Sequence, residues 1–171
     1  RRIEDLPRIL HEAFYVASSG RPGPVVIDVP KDVQFAVGTY SSPRGVHHKT
    51  YQPKLKGDAH KIRQAVAMMA AAKKPVFYTG GGVINSGPAA SQLLRELVHL
   101  TGFPITSTLM GLGAYPAPDP QWLGMLGMHG TYEANNAMHD CDLMIAIGAR
   151  FDDRITGRLD AFSPNSKKIH I

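Results

Sequence analysis

The stretch GARFDDR (148–154) carries the densest set of side chains that could do chemistry. Two arginines and two aspartates follow an apolar run there: Arg150, Asp152, Asp153 and Arg154. Arginine binds phosphate through paired hydrogen bonds, and aspartate accepts hydrogen bonds from ribose or ribityl hydroxyls. An internal network of ion pairs that closes a loop explains the same charges, and it would contribute little stability at a surface. The alternation of charge alone leaves these two interpretations level.

Three adjacent glycines, Gly80, Gly81 and Gly82, form a second candidate site because they also follow an apolar run. A turn without side chains lets a ligand approach the backbone, and a helix after it directs amide hydrogens toward an anion. A tight strand-to-helix turn explains the same glycines without a ligand. The dinucleotide pattern G-x-G-x-x-G is not completed, because Asn85 stands at its third glycine position. Ordinary NAD binding is therefore disfavoured.

The segment 111–130 is too apolar for a solvated loop, and a loop of this length is usually functional or disordered. Met110, Leu126 and Met128 could line a flat, largely apolar ligand, since methionine side chains adapt to flat surfaces. Packing against a neighbouring domain or subunit explains the same composition. His129 is a candidate hydrogen-bonding partner, although a lone histidine is more often structural.

Alternating helices and strands are predicted to position these candidate residues. Helices are predicted from apolar spacing, caps and breakers over 59–74, 88–100 and 131–141. Strands are predicted over 75–79, 104–108, 142–149 and 167–171. Such alternation is typical of an α/β fold, a Rossmann-like parallel sheet flanked by helices. Because ligands bind beyond the carboxyl ends of such strands, we expect the candidate segments to share one edge of the sheet.

The first third of the sequence has a different organisation. Residues 3–18 place apolar side chains at helical spacing, and VVIDV (25–29) predicts a short strand closed by Pro30. Residues 31–57 lack periodicity and are rich in breakers, which predicts a surface linker.

Composition excludes several classes of function. The net charge is +5, but the basic residues are scattered, so nucleic-acid binding is disfavoured. No apolar run reaches the roughly 18 residues of a membrane helix. Cys141 is the single cysteine, which rules out a disulfide and fits a reducing cytoplasm. His47 and His48 are adjacent in the predicted linker, and no other pair has the spacing of metal ligands, so no metal site is expected.

Five segments in the same order carry a resemblance to a known family. They are SGRPGPVVIDVPKDVQ (19–34), TGGGV (79–83), TLMGLGAYP (108–116), LGMLGMHG (123–130) and IGARFDDRITG (147–157). The chain closely resembles the catalytic subunits of acetohydroxyacid synthases, also called acetolactate synthases, over essentially its whole length. These are thiamine diphosphate-dependent enzymes.

The resemblance implies a division into domains. Residues 1–30 are expected to end a pyrimidine-binding domain, 31–57 to form an interdomain linker, and 58–171 to form most of a middle FAD-binding domain. The sequence starts without methionine and ends on KKIHI, so we expect a fragment with an incomplete sheet. The catalytic glutamate and the magnesium-diphosphate motif of the family are expected outside these residues. No residue here is expected to be catalytic or to bind metal, and the chain alone is expected to be inactive.

The resemblance also implies a reaction and its partners. The family condenses pyruvate with pyruvate or 2-oxobutyrate, giving acetolactate or acetohydroxybutyrate for the synthesis of valine, leucine and isoleucine. Its cofactors are thiamine diphosphate, Mg²⁺ and FAD, and a homo-oligomer with a regulatory small subunit is expected. The alternative from another class is a non-catalytic interaction module that keeps an FAD- or nucleotide-binding fold.

The family's site residues are matched segment by segment. Contacts to FAD are expected from Arg21, Gly80, Gly81, Gly82, Thr108, Leu109, Met110, Leu126, Gly127, Met128, His129, Gly148, Arg150, Asp152 and Arg154. The border of the substrate channel is expected at Lys31, Met128, Asp153 and Arg154.

Overall fold

The computed structural model describes residues 2–46 and 48–171, and the chain separates into two units, residues 1–58 and 59–171. In the first unit a 3-10 turn (Ile3–Asp5) leads into helix α1 (Leu6–Ser18). Pro7 lies in the first turn of α1, where its missing amide hydrogen costs nothing. The helix predicted over 3–18 is therefore confirmed.

One sequence prediction for this unit is wrong. VVIDV (25–29) forms no strand, and within the described part of the unit no other strand is present to pair with it. A β-branched run favours extended backbone, but a strand needs a neighbour to accept its hydrogen bonds. The predicted linker contains a short helix, α2 (Lys31–Phe35), which starts directly after Pro30. His47 lies outside the described residues.

The second unit alternates helices and strands as predicted. Its helices are α3 (Ala59–Ala71), α4 (Gly81–Asn85), α5 (Pro88–Thr101), α6 (Tyr132–Asp140) and α7 (Asp153–Thr156). Its strands are β1 (Pro75–Thr79), β2 (Ile105–Ser107), β3 (Trp122–Met125), β4 (Leu143–Ile147) and β5 (Lys167–His170). Gly102 ends α5 in the left-handed conformation, with φ of 70°, as its position after the helix predicts.

All five strands are parallel, and their order across the sheet is β3-β2-β1-β4-β5. Strands β2 and β3 follow β1 on one side of it, whereas β4 and β5 lie on the other side of β1. This reversal makes the gap between β1 and β4 the topological switch point, where open α/β sheets bind their ligands. The predicted α/β, Rossmann-like class is confirmed.

Helices cover both faces of the sheet, which explains why β1 is buried along its whole length. Phe77 and Ile145 point to the face covered by α3 and α5, where Leu94 and Val98 complete the core. The opposite face contains a second core around Tyr78, with α6 packed against it; its buried members include Val76, Leu126, Met138 and Met144.

Some short elements of the second unit were not predicted. Strand β3 lies inside the segment interpreted as an irregular loop, and helices α4 and α7 follow directly on the glycine and FDDR turns. Strand β3 is only four residues long, and Gly124 interrupts the alternation of apolar and polar side chains that marks a strand. The φ of Gly124 is 97°, so the strand is also irregular. In the part of the chain that the structure describes, no helix is long and apolar enough to cross a membrane.

Candidate functional site

The segments singled out from the sequence follow the carboxyl ends of four neighbouring strands. They are Gly80–Gly82 after β1, Thr108–Gly111 after β2, Leu126–Met128 after β3 and Gly148–Arg154 after β4. Because the strands are parallel, these segments lie along one edge of the sheet. We call it the carboxyl edge.

At the switch point the glycine turn packs against the segment after β4. A side chain on Gly80 would collide with the carbonyl oxygen of Gly148, and a Cβ on Gly82 would lie 2.7 Å from the Gly148 Cα. The amides of Gly80 and Gly82 donate to the carbonyls of Ile147 and Gly148 at 3.0 and 2.9 Å. Backbone packing thus accounts for these two glycines, and their amide hydrogens are not available to an anion.

Gly81 faces a different neighbour. A Cβ at this position would lie 3.1 Å from the carbonyl oxygen of Met110, so the glycine admits the 3-10 turn that follows β2. Thr108 anchors that turn, since its amide donates to Thr79 at 2.9 Å and its hydroxyl accepts from the Gly111 amide at 2.9 Å. The segments after β1 and β2 therefore have a fixed spacing.

Large apolar side chains at this edge are exposed. Leu109 is 67% exposed, Met110 is 74% exposed, and Met128 is 67% exposed. Hydrogen bonds in the turns after β2 and β3 fix the backbones of these residues, while their side chains extend into solvent. Exposed apolar groups clustered beside polar ones mark a surface that binds something. We call Leu109, Met110 and Met128 the apolar wall.

The segment after β3 contacts the segment after β4 directly. Leu126 is buried and its amide donates to Ser107 at 3.0 Å, which continues the pairing with β2. Gly127 has φ of 105°, and the Met128 amide then donates to the Arg154 carbonyl at 3.3 Å. A backbone hydrogen bond therefore joins Met128 of the apolar wall to Arg154 in the segment after β4.

The two arginines at the carboxyl edge are only loosely paired. Arg150 lies 3.5 Å from Asp152 with its side chain 70% exposed, and Arg154 lies 3.8 Å from Asp153 with its side chain 76% exposed. Such contacts are worth little in water, so both guanidinium groups are available to an anionic ligand. Asp152 has a structural task as well, because its carboxylate accepts from the Arg154 amide at 3.1 Å and caps α7.

Aromatic residues fix the backbone that carries Arg150. The Tyr78 hydroxyl donates to the Arg150 carbonyl at 3.2 Å, and the His170 Nε2 donates to the Ala149 carbonyl at 2.8 Å. The Phe151 ring packs against both Tyr78 and His170. Burial of Tyr78, with the nearby Asp152 charge, raises the pKa of its phenol well above the ordinary value, so it stays a hydrogen-bond donor.

These aromatic residues were not among the residues predicted from the sequence. Tyr78, Phe151 and His170 lie inside or beside predicted strands, where an aromatic residue is ordinarily part of the core. The available signal was their position at strand ends, next to segments already singled out.

Two predicted site residues belong to the first unit. Arg21 follows α1 and Lys31 begins α2, and both are exposed. The Lys31 ammonium lies 5.9 Å from the centre of the Phe35 ring. His129, in the second unit, is also exposed beside Met128.

A cavity of about 190 Å³ lies behind the carboxyl edge, between α6 and the residues after α7. Leu126 is the one residue of the predicted site that lines this cavity. Met138, Ile155 and Phe162 are its large apolar lining residues. Within the described residues no group of three or more histidine, cysteine, aspartate or glutamate side chains could hold a metal ion. Cys141 is buried, and burial raises the pKa of its thiol, so it is a poor nucleophile.

Known acetolactate synthases are similar to the whole of this chain. The acetolactate synthase large subunit of Haemophilus influenzae is 48% identical over 174 residues, which cover 100% of the chain and 30% of that protein. The isozyme 3 large subunit of Escherichia coli is 47% identical over 173 residues, again 100% of the chain and 30% of the protein. The chloroplastic acetolactate synthase of Arabidopsis thaliana is 49% identical over 172 residues, covering 99% of the chain and 25% of the protein. The chain thus spans less than a third of the length of these relatives.

A solved structure has the same fold. It is described as a putative thiamin diphosphate-dependent enzyme from Mycobacterium smegmatis, and it matches with a TM-score of 0.66 and 22% identity. The match covers 98% of this chain and 31% of that one. The family model for the central domain of thiamine pyrophosphate enzymes matches residues 62–171, which include every strand of the sheet. The chain belongs to the thiamine pyrophosphate enzyme family, since the central-domain model of that family matches well over half of it.

Proposed function

We propose that this chain is the FAD-binding part of an acetolactate synthase that condenses pyruvate with pyruvate or 2-oxobutyrate in the synthesis of branched-chain amino acids. The identity of 47–49% to three such enzymes over nearly the whole chain supports the activity of the longer protein. One observation carries the assignment to FAD: an exposed apolar wall and two loosely paired arginines lie along the same edge of the sheet.

The chemistry of FAD fits this edge. Its isoalloxazine ring is flat and largely apolar, which suits the side chains of Leu109, Met110 and Met128. Its diphosphate is anionic, and Arg150 and Arg154 can each offer several hydrogen bonds to it. When bound, FAD would be a structural cofactor of a reaction that has no net oxidation or reduction.

Each remaining site residue of the second unit has a proposed place. Thr108, Leu126, Gly127 and His129 belong with the apolar wall around the ring, while Gly81, Gly148 and Asp152 contact the polar chain of FAD. Gly80 and Gly82 act indirectly, since they let the turn after β1 pack against Gly148. In the second unit Met128, Asp153 and Arg154 border the substrate channel, while the roles of Arg21 and Lys31 stay predictions from the sequence.

The longer protein is proposed to contain further parts. Thiamine diphosphate and Mg²⁺ would bind outside these residues, as would the catalytic glutamate. Residues 1–30 would complete the preceding domain, residues 31–57 would be the linker, and residues 58–171 would form most of the middle domain. We propose a homo-oligomer with a regulatory small subunit, and a reducing compartment such as the cytoplasm, which suits the single reduced Cys141.

Titration of the chain with FAD tests the proposed site. Arg154→Ala should weaken FAD binding by about tenfold or more, because a charge-assisted hydrogen bond is lost. Arg158→Ala is the matched control, since Arg158 is an exposed arginine nearby that already binds Asp160. Equal affinity of the two variants and the unchanged chain would contradict the assignment of Arg154.

Measurement of acetolactate formation by the longer protein tests the proposed activity. Product formed from pyruvate in the presence of thiamine diphosphate and Mg²⁺ would support it. Binding of FAD without any turnover by the longer protein would favour the non-catalytic module instead.

A further inference from the structure

A side chain of α6 contacts the backbone of the carboxyl edge at two points and its own helix at a third. The Asn135 carboxamide oxygen accepts from the Gly127 amide at 3.1 Å, and its nitrogen donates to the Gly127 carbonyl at 3.1 Å. The same nitrogen donates to the Thr131 carbonyl at 2.9 Å. One carboxamide therefore binds both polar groups of Gly127, as a neighbouring strand would.

Gly127 needs such support because its backbone is unusual. Its φ of 105° is disfavoured for any residue with a side chain. A Cβ there would lie 2.8 Å from the Ile155 Cδ1 and 2.9 Å from the Arg154 carbonyl oxygen, so the turn is pressed against the segment after β4. This conformation directs the next amide, that of Met128, to the Arg154 carbonyl.

The helix that carries Asn135 is itself fixed to the sheet. The Thr131 hydroxyl caps α6 by accepting from the Ala134 amide at 3.2 Å, and it donates to the Leu123 carbonyl of β3 at 2.6 Å. The Thr131 amide also donates to Met125 at 2.9 Å. Asn135, one turn into the helix, is therefore a rigid support for Gly127.

We propose that Asn135 is a positioning residue that sets the distance between Met128 and Arg154, and thereby between the two surfaces that contact the ring and the phosphates of the ligand. The proposal rests on the proposed function for the identity of that ligand. Both side chains remain exposed while their backbones are bonded to each other, so Asn135 acts on their spacing without touching the ligand.

Asn135→Asp tests this role, because a carboxylate can accept from Gly127 but cannot donate to the two carbonyls. Asn136→Asp makes the same change of charge at the next residue, which is exposed, and serves as the matched control. Amide hydrogen exchange at Gly127 and Met128 is measured without ligand, and FAD affinity is then measured by titration. We expect the exchange of Met128 to become about tenfold faster and FAD binding about tenfold weaker in Asn135→Asp, with neither changed in Asn136→Asp.

The two measurements separate the possible outcomes. Unchanged exchange at Gly127 and Met128 would overturn the positioning role whatever FAD does. Faster exchange with unchanged FAD affinity would overturn it as well, since Asn135 would then stabilise the turn only. If the unchanged chain binds no FAD, the proposed function fails, and the exchange data still decide whether Asn135 holds the turn. Should Asn135→Asp fail to fold, Asn135→Ser removes the carboxamide without adding charge, and the same outcomes apply.

Discussion

The two edges of the sheet differ in how their segments are joined and in which side chains they expose. At the amino edge, before the strands begin, side chains bind the backbones of neighbouring segments. The Asp142 carboxylate accepts from the amides of Lys73 and Lys74 at 2.7 and 2.9 Å, which joins the start of β4 to the start of β1. The Gln121 carboxamide donates to the carbonyls of Val98 and Phe103 at 3.1 and 3.0 Å.

At the carboxyl edge, backbone-to-backbone bonds join the segments beside the side-chain contacts of Asn135 and Tyr78, and the long side chains of the candidate site are left exposed. The amides of Gly82 and Met128 donate to the carbonyls of Gly148 and Arg154, while Met110 and Arg150 extend into solvent. At the amino edge, side chains therefore join the neighbouring segments. At the carboxyl edge, glycines let the turns pack backbone to backbone, and the long side chains stay exposed. Substitutions at the amino edge should affect stability alone, whereas those at the carboxyl edge should separate stability from binding.

The largest effect on stability is expected from Gly148→Ala. Gly148 has φ of 60°, and a Cβ there would lie 2.7 Å from the Val83 amide nitrogen, so both strain and collision oppose a side chain. We expect the free energy of unfolding to fall by about 3 kcal/mol, measured by urea denaturation. Gly102→Ala is the control: Gly102 has φ of 70° in the left-handed conformation with open space around it, and strain alone should cost about 1 kcal/mol. Equal losses would show that the packing of the two turns contributes nothing.

A smaller effect is expected at the amino edge from Gln121→Ala. The partly buried Phe103 carbonyl loses its donor and the Val98 carbonyl loses one of several, so the free energy of unfolding should fall by about 2 kcal/mol. Gln92→Ala, on the exposed face of α5, removes a contact with Glu96 and should change stability by less than about 0.5 kcal/mol. FAD affinity should stay the same in both variants. Weaker FAD binding in Gln121→Ala would remove the distinction between the edges.

The smallest effect is a dependence on pH at Asp142. The amides of Lys73 and Lys74 hold the pKa of its carboxyl below the ordinary value. A pKa that is lower in the folded state stabilises the fold above the unfolded value of about 4, and this contribution is lost as pH falls through the folded pKa. The gap in melting temperature between the unchanged chain and Asp142→Asn should therefore be largest near neutral pH and shrink in acid. Asp140→Asn, which removes an exposed carboxylate two residues earlier, is the matched control.

The long elements could be predicted because several local signals agreed. Helix α5 has Pro88 at its start, apolar residues at helical spacing within it, and Gly102 at its end. All three signals predict the same helix. Strand β4 is a continuous apolar run, as a strand buried on both faces must be. The alternation of strands and helices implies a parallel sheet, and the candidate segments could therefore be placed at one edge before their contacts were known.

The rest depends on contacts between distant residues. VVIDV satisfies every local rule for a strand, yet strand pairing requires a partner that local sequence does not supply. The sequence left open whether the three glycines face a ligand or the chain itself, and only the position of Gly148 shows that Gly80 and Gly82 face the chain. Asn135 and Tyr78 could not be selected because their partners are backbone carbonyls and amides, which no residue type reveals.

The position of Trp122 gives the molecule its own optical probe. It is the single tryptophan, it opens edge strand β3, and its indole nitrogen lies 3.4 Å from the Ser107 hydroxyl. Indole emission responds to solvent, so detachment of this outermost strand would be visible in unlabelled protein. Opening at one margin of the sheet could thus be timed separately from global melting, which far-ultraviolet circular dichroism follows.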